Sequence, residues 1–306
     1  MKILVLGSSG FVGKNLLLAL PKEFEVTAVY NNSKYFLDFV NLNKLNCKAL
    51  KCDLSSKDEV TSLLDKNYDV VVSLFSNPNP SESFNDPLYD FKSNALPIYN
   101  VLSSITAEHV IYFSSGLVYE DRVGEISVEK TVINPTIPYA ISKFSAEQFV
   151  KLAHKKGNIG NYNIVRFWGA YGPYQSTTKI YSKLVKQFGI DKNCDFTIKG
   201  DGHSLISAMY IDDAIVEIMH LIKYNIKHDR KTYNFAYNKP MSVFNLVMEA
   251  AKTFNIDPRI KFEGQSYETI DFYPTDSYTS YQVIFTDVKQ GLLKLYDWQQ
   301  QHKELL

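Results

Sequence analysis

Short apolar runs alternate with stretches of helical periodicity through the first half of the chain. Ile3–Leu6 is apolar throughout, as a strand buried on both faces is, and Phe11–Leu20 behind it carries apolar residues at helical spacing. The same alternation predicts strands at Val26–Tyr30, Cys47–Cys52, Val70–Leu74 and Val110–Phe113, and helices at Lys57–Leu64 and Leu88–Leu102. A long helix over Tyr139–Lys155 and a sixth strand at Tyr162–Phe167 continue it. Strands alternating with helices imply a doubly wound parallel sheet, with right-handed crossovers and helices on both faces, an α/β fold. The alternation loosens after Gly169. There, Gly172-Pro173 and Gly200-Asp201-Gly202 punctuate helical stretches near Ile180–Phe188, Ile211–Tyr224 and Val243–Phe254. Ile211–Tyr224 and a strand near Thr232–Ala236 are expected to return to the main sheet.

Composition narrows the function. At 306 residues the chain can form one large α/β domain or two that share a sheet. Its 33 basic residues balance 33 acidic ones, which gives no electrostatic footprint for nucleic acid or an anionic membrane. No stretch approaches the ~18–20 apolar residues of a membrane span, and Ile3–Leu6 is too short for a signal peptide. Cys47, Cys52 and Cys194 lack paired spacing, which argues against a disulfide framework or a zinc site and favours a reducing, cytoplasmic setting. His109, His154, His203, His220, His228 and His302 are scattered without ligand spacing, so no metal is expected.

Three motifs carry chemistry. Gly7-Ser8-Ser9-Gly10-Phe11-Val12-Gly13 leaves the first strand and opens the first helix. Glycines there allow a tight turn and close approach of the backbone to a pyrophosphate, which the helix N-terminus attracts. Tyr139-Ala140-Ile141-Ser142-Lys143 places a phenol and an ammonium one helical turn apart. The ammonium is expected to favour the ionised phenol, making Tyr139 a proton donor or acceptor for an alcohol/ketone pair. Phe113-Ser114-Ser115-Gly116-Leu117-Val118-Tyr119 lies at the carboxyl end of the fifth strand, where such sheets bind ligands. Asp212-Asp213 is read as the cap of the helix it opens.

Together these motifs resemble the extended short-chain dehydrogenase/reductase family, and within it the nucleotide-sugar epimerases, dehydratases and reductases. Arg166-Phe167-Trp168-Gly169-Ala170-Tyr171-Gly172-Pro173, Gly200-Asp201-Gly202 with Tyr210-Ile211-Asp212-Asp213, and Asp287 through Trp298 extend the likeness over nearly the whole chain. The resemblance implies a Rossmann-type doubly wound sheet with a smaller C-terminal substrate lobe. Residues 1–168 would hold the dinucleotide, with contributions from about 207–236, and the interleaved 169–306 would hold the substrate. It implies Ser115, Tyr139 and Lys143 as the catalytic triad, with Lys143 also on the nicotinamide ribose. Gly7, Gly10, Phe11, Val12, Gly13, Asn31, Lys34, Asp53, Leu54, Leu74 and Asn94 would join Tyr139 and Lys143 around the cofactor.

The sequence departs from the family pattern in four places. Gly116 and Leu117 stand where the dehydratases carry an Asp-Glu pair, so dehydration is not expected. Asn31 replaces the second-strand Asp of NAD-preferring members and Lys34 could attract a 2′-phosphate, which points to NADP(H) ahead of NAD(H). Gly169, Ile206 and Tyr273 replace the Asn and two Arg that contact a nucleotide diphosphate, leaving Lys179, Lys183, Lys199 and Arg259 as replacements by proximity in sequence. Phe75 stands where small residues are usual. The leading expectation is an NADPH-dependent reductase of a nucleotide-linked 4-keto sugar, with no membrane partner and homodimerisation left open. The rivals are a nucleotide-sugar 4-epimerase with retained NAD and a non-catalytic dinucleotide-binding regulator.

Overall fold

A computed structural model describes residues 1–77, 80–224, 231–237, 239–264, 272–277 and 283–303. Among them a seven-stranded, all-parallel sheet is built from β1 (Lys2–Leu6), β2 (Glu25–Tyr30), β3 (Cys47–Lys51), β4 (Asn67–Ser73), β5 (Thr106–Ser115), β6 (Ile159–Phe167) and β7 (Thr232–Phe235), in the spatial order β7-β6-β5-β4-β1-β2-β3. The order reverses between β1 and β4, and a crevice opens there at the carboxyl ends of the strands. The apolar run Ile3–Leu6 is fully buried because it is central and covered on both faces.

Two hydrophobic cores lie on the two faces of this sheet. On one, α1 (Phe11–Ala19), α2 (Phe36–Leu42) and α7 (Ile211–Tyr224) join Ile3, Val5, Val70, Val72 and Ile111 in one core, to which α9 (Val288–Gln301) also contributes. On the other, α3 (Lys57–Leu63), α4 (Pro87–Leu102) and α5 (Pro138–Lys155) pack against Leu4, Leu6, Val71, Val110 and Tyr112. Strand residues alternate between the cores because successive side chains point to opposite faces. The fold is the Rossmann-type α/β sheet that the sequence predicts.

Helix starts follow local chemistry. Ser56, Asp86, Ser242 and Asp287 cap α3, α4, α8 (Val243–Phe254) and α9, each accepting a hydrogen bond from the backbone N–H three residues on. α1 differs: Gly10 is its N-cap and offers no side chain. Asp213 does not cap α7, contrary to the sequence expectation. It lies within the first turn and accepts from the N–H and hydroxyl of Thr286, tying α7 to the approach of α9.

Beyond β6 the chain forms short strand pairs: Ala170–Tyr171 with Met209–Tyr210, Asp195–Lys199 with Arg259–Glu263, and Leu205–Ile206 with Met241–Ser242. A fourth pair, Gly124–Ile126 with Phe272–Pro274, brings Phe272 over the end of β5. The stretch Ile180–Phe188, expected as one helix, is α6 (Ile180–Leu184) continued by a π-helical turn over Val185–Ile190. Gly189 in that turn lies against Tyr296, whose ring a Cβ would meet at 2.8 Å. Among the described residues no helix is long and apolar enough to cross a membrane.

Candidate active site

Two cavities meet at the carboxyl ends of β1, β4 and β5. A groove of about 650 Å³ runs along the glycine turn, past Asn31 and Asn32 at the end of β2 and Asp53–Ser55 after β3. A cleft of about 410 Å³ lies over β5 and β6 and holds Ser115, Tyr139 and Lys143. Val12, Leu74 and Ser76 belong to both, so a ligand in the groove abuts one in the cleft.

The groove fits a dinucleotide on its own geometry. A Cβ on Gly7 would lie 2.7 Å from the Phe75 amide nitrogen, and one on Gly13 would lie 2.4 Å from the Gly7 carbonyl oxygen. Gly7 also has φ +82°, which disfavours any side chain. The turn is therefore as tight as the backbone permits, and α1 starts with N–H groups that no cap side chain covers. Those groups and the helix dipole suit a pyrophosphate. Asp53 is held at the far end: its carboxylate accepts from the N–H and hydroxyl of Ser55, and its N–H donates to Glu59.

In the cleft, Tyr139 opens the first turn of α5 and Lys143 follows one turn later. The Tyr139 phenol shares the cleft with the hydroxyls of Ser115 and Ser76, which act on its ionisation. Burial pushes its pKa up, the two hydroxyls pull it down, and Asp90 adds to the rise, for a net increase. Lys143 is 2% exposed and its Nζ donates to the Phe113 carbonyl at 2.6 Å. Burial lowers its pKa to about 7, against the opposing pull of Glu147 and Asp90. The expectation that the ammonium ionises the phenol is thus not met by the protein groups alone. Burial favours the neutral form of each group, and the partner of Lys143 is a carbonyl.

This depression has a consequence for stability. Between about pH 7 and the unfolded value of 10.5, the unfolded chain binds a proton at Lys143 that the folded chain does not. Stability therefore rises with pH through that window, by at most ~1.4 kcal/mol per pH unit. The stability of the dinucleotide-free native protein, relative to Lys143→Met, should rise from neutral to mildly alkaline pH in denaturant titrations. Parallel profiles would mean that Lys143 stays charged on folding.

Behind the cleft lies a buried charged network. The Arg166 Nε and Nη2 donate to Glu147 at 3.0 and 2.8 Å, and Nη1 donates to the Tyr119 phenol at 2.6 Å. The Ser114 hydroxyl donates to Glu147 at 2.7 Å. Burial opposes the Arg166 charge, but its contacts with Glu147 prevail and its pKa is raised. This network fixes the end of β5 to β6 and α5, directly beside Ser115.

The structure brings Gly7, Gly10, Phe11, Val12, Gly13, Asn31, Asp53, Leu54 and Leu74 to the groove wall. It does not bring Lys34, which is exposed in the turn after β2 and off the wall. Asn94 is also off the wall. It is fully buried, accepts from the Asn77 N–H at 2.9 Å, and donates to Asp90 and Ser142. Its place is to brace the segment carrying Ser76, with Asp90 and Ser142 hydrogen-bonded to each other beside it. Sequence reasoning gave no role to Ser76, which follows Phe75 at the end of β4, and passed over the groove-wall Lys92.

Gly169 and Ile206 line the cleft, whereas Tyr273 does not. None of Lys179, Lys183, Lys199 and Arg259 lines it either. Lys183 lies over the Phe196 ring, and Arg259 pairs with Asp195 at 2.6 Å. Trp168 covers Gly116 so closely that a Cβ there would come within 2.6 Å of its indole. Among the described residues no group of three or more His, Cys, Asp or Glu could hold a metal ion, and His228 lies outside those residues.

Comparison with known proteins agrees with this geometry. A dTDP-D-glucose 4,6-dehydratase of Dictyostelium discoideum is 29% identical over 237 residues, covering 70% of this chain and 54% of that protein. The UDP-glucuronic acid 4-epimerase of Bacillus cereus, solved with UDP-glucuronic acid and NAD, has the same fold, with a TM-score of 0.84 and 24% identity over 98% of this chain and 99% of that one. The UDP-glucose 4-epimerase of Thermotoga maritima, solved with UDP-glucose, also gives 0.84, at 18% identity and the same coverage. Residues 3–236 match the model of the NAD dependent epimerase/dehydratase family, and the chain belongs to that family.

Proposed function

We propose that the chain is a nucleotide-sugar 4-epimerase that retains a nicotinamide dinucleotide. Residues 1–168 hold the dinucleotide and the segments from 169 onward shape the substrate side. The bound dinucleotide would take up and return a hydride at the sugar C4. The chain's own residues do the rest. The positive charge of a bound oxidised nicotinamide would favour the ionised form of Tyr139, which as the phenolate takes the C4 hydroxyl proton and as the phenol later returns it; Ser115 and Ser76 orient the oxygen, and the apolar cleft wall limits water. The observation that carries this reading is the pairing of the Tyr139–Ser115 site with a Gly116 sealed beneath Trp168. The site is placed to move a proton at C4, yet among the described residues no Asp or Glu lines the cleft to expel a neighbouring hydroxyl, which supports epimerisation over dehydration.

The sequence alone puts an NADPH-dependent reductase first. The epimerases and dehydratases among similar proteins shift the balance to an epimerase. The reductase keeps one observation in its favour: Asn31 and Asn32, not a carboxylate, meet the groove at the end of β2. Identifying the nucleotide released on denaturing the purified protein separates the two. Stoichiometric NAD supports the epimerase; a protein that is isolated empty and binds NADPH more tightly than NADH supports the reductase.

The substrate diphosphate is the weak point of the cleft, because Ile206 offers it no charge. Ile206→Arg places a guanidinium on the cleft wall and should tighten UDP or dTDP binding about tenfold in calorimetric titration. Unchanged affinity would show that the diphosphate lies elsewhere.

A further inference from the structure

The cleft wall restricts what a sugar can present beside its reacting carbon. The cleft that holds Tyr139 is walled by Leu117, Trp168, Ile206 and Phe272 among others, and among the described residues its polar side chains besides Tyr139, Lys143 and the Trp168 indole are hydroxyl-bearing serines. Among the described residues lining it, Lys143 is the one cationic side chain, and its Nζ is engaged by the Phe113 carbonyl. The nearby guanidinium of Arg166 is buried behind the wall and committed to Glu147 and Tyr119. The wall is also fixed in place. The indole of Trp168 lies on Gly116, meets Phe272 edge-on at 5.4 Å, stacks with Tyr119 at 6.4 Å, and its Nε1 donates to Asn234 at 3.4 Å.

We propose that this cleft takes a nucleotide-linked 6-deoxyhexose and rejects a uronic acid. The proposal rests on the reading that C4 is the reacting carbon. C5 adjoins C4, so the C6 group lies two bonds from the carbon whose oxygen Tyr139 and Ser115 hold. It cannot avoid the same walls. A carboxylate there loses its hydration and gains no cation in return. A methyl group loses nothing and gains contact with the aromatic and aliphatic wall. A hydroxymethyl group falls between them. The chain thereby differs in substrate from its structural neighbour that binds UDP-glucuronic acid.

The test is calorimetric titration of the dinucleotide-loaded protein with UDP and dTDP sugars that differ only at C6: methyl, hydroxymethyl and carboxylate, with UDP and dTDP alone as references. The methyl sugar should bind roughly tenfold more tightly than the hydroxymethyl sugar, and the carboxylate sugar more weakly than either. Leu117→Arg should reverse the order of the methyl and carboxylate sugars, while retained dinucleotide reports that the variant is folded. Should that variant fail to fold, the native series decides alone. Carboxylate binding equal to or tighter than methyl overturns the 6-deoxyhexose assignment and leaves the nucleotide-sugar reading standing. Absence of binding by every sugar and both nucleotides overturns that reading and the assignment with it.

Discussion

Tyr139→Phe should lower turnover by about two to four orders of magnitude and leave dinucleotide retention unchanged. The substitution removes one oxygen from a ring that is otherwise 7% exposed and packed. That oxygen stands in the cleft with the Ser115 and Ser76 hydroxyls, so the group placed to exchange a proton with the substrate is lost. Nothing in the groove along Gly7–Gly13 changes. Steady-state rates beside the dinucleotide content of the purified variant measure both halves. A near-normal rate would remove Tyr139 from the chemistry, whereas loss of dinucleotide would mean that the phenol holds the cofactor as well.

Arg166→Met should destabilise the protein by about 3–5 kcal/mol, because it leaves a buried carboxylate without its countercharge. Glu147 is fully buried and Arg166 is 3% exposed, so water cannot replace the lost contacts. Ser114 keeps its hydrogen bond to Glu147, but one neutral donor does not balance a buried charge. Denaturant titration of the native protein and the variant gives the difference. The pair Glu147→Gln with Arg166→Met should recover part of the loss, since removing both charges also removes the desolvation cost. If the single variant is as stable as the native protein, the Arg166–Glu147 pair does not hold the fold together.

The sequence patterns are most informative where one physical cause dominates. α7 and α8 run from the residues predicted to the residues predicted, because their apolar stripes are strong. α2 was legible in principle, with Phe36, Phe39 and Val40 buried at helical spacing, but it is only seven residues long. The strand pairs outside the main sheet have strands of two to five residues, too few for a period of two to register, and their partners are distant in sequence. In the site, the residues that came together are those whose motif also fixes their position, at a strand end or a helix start. Lys34 and Asn94 were assigned by likeness alone. Lys34 is exposed in the turn just beyond the groove-lining Asn31 and Asn32, and the inward face of α4 turns Asn94 into the scaffold. The lid that Trp168 makes over Gly116 depends on two residues more than fifty positions apart, which no local pattern reveals.

The central claim is reversible redox chemistry at a sugar C4 within this cleft, and an isotope experiment tests it most directly. The purified protein, with no added coenzyme, is given UDP-glucose and dTDP-glucose deuterated at C4, and the 6-deoxy analogues, and products are resolved by NMR. The account predicts that the C4 epimer forms with its deuterium retained, and that Tyr139→Phe forms it at least about a hundredfold more slowly. Loss of the deuterium to water would contradict it, as would failure of native protein loaded with its dinucleotide to interconvert any of these epimer pairs.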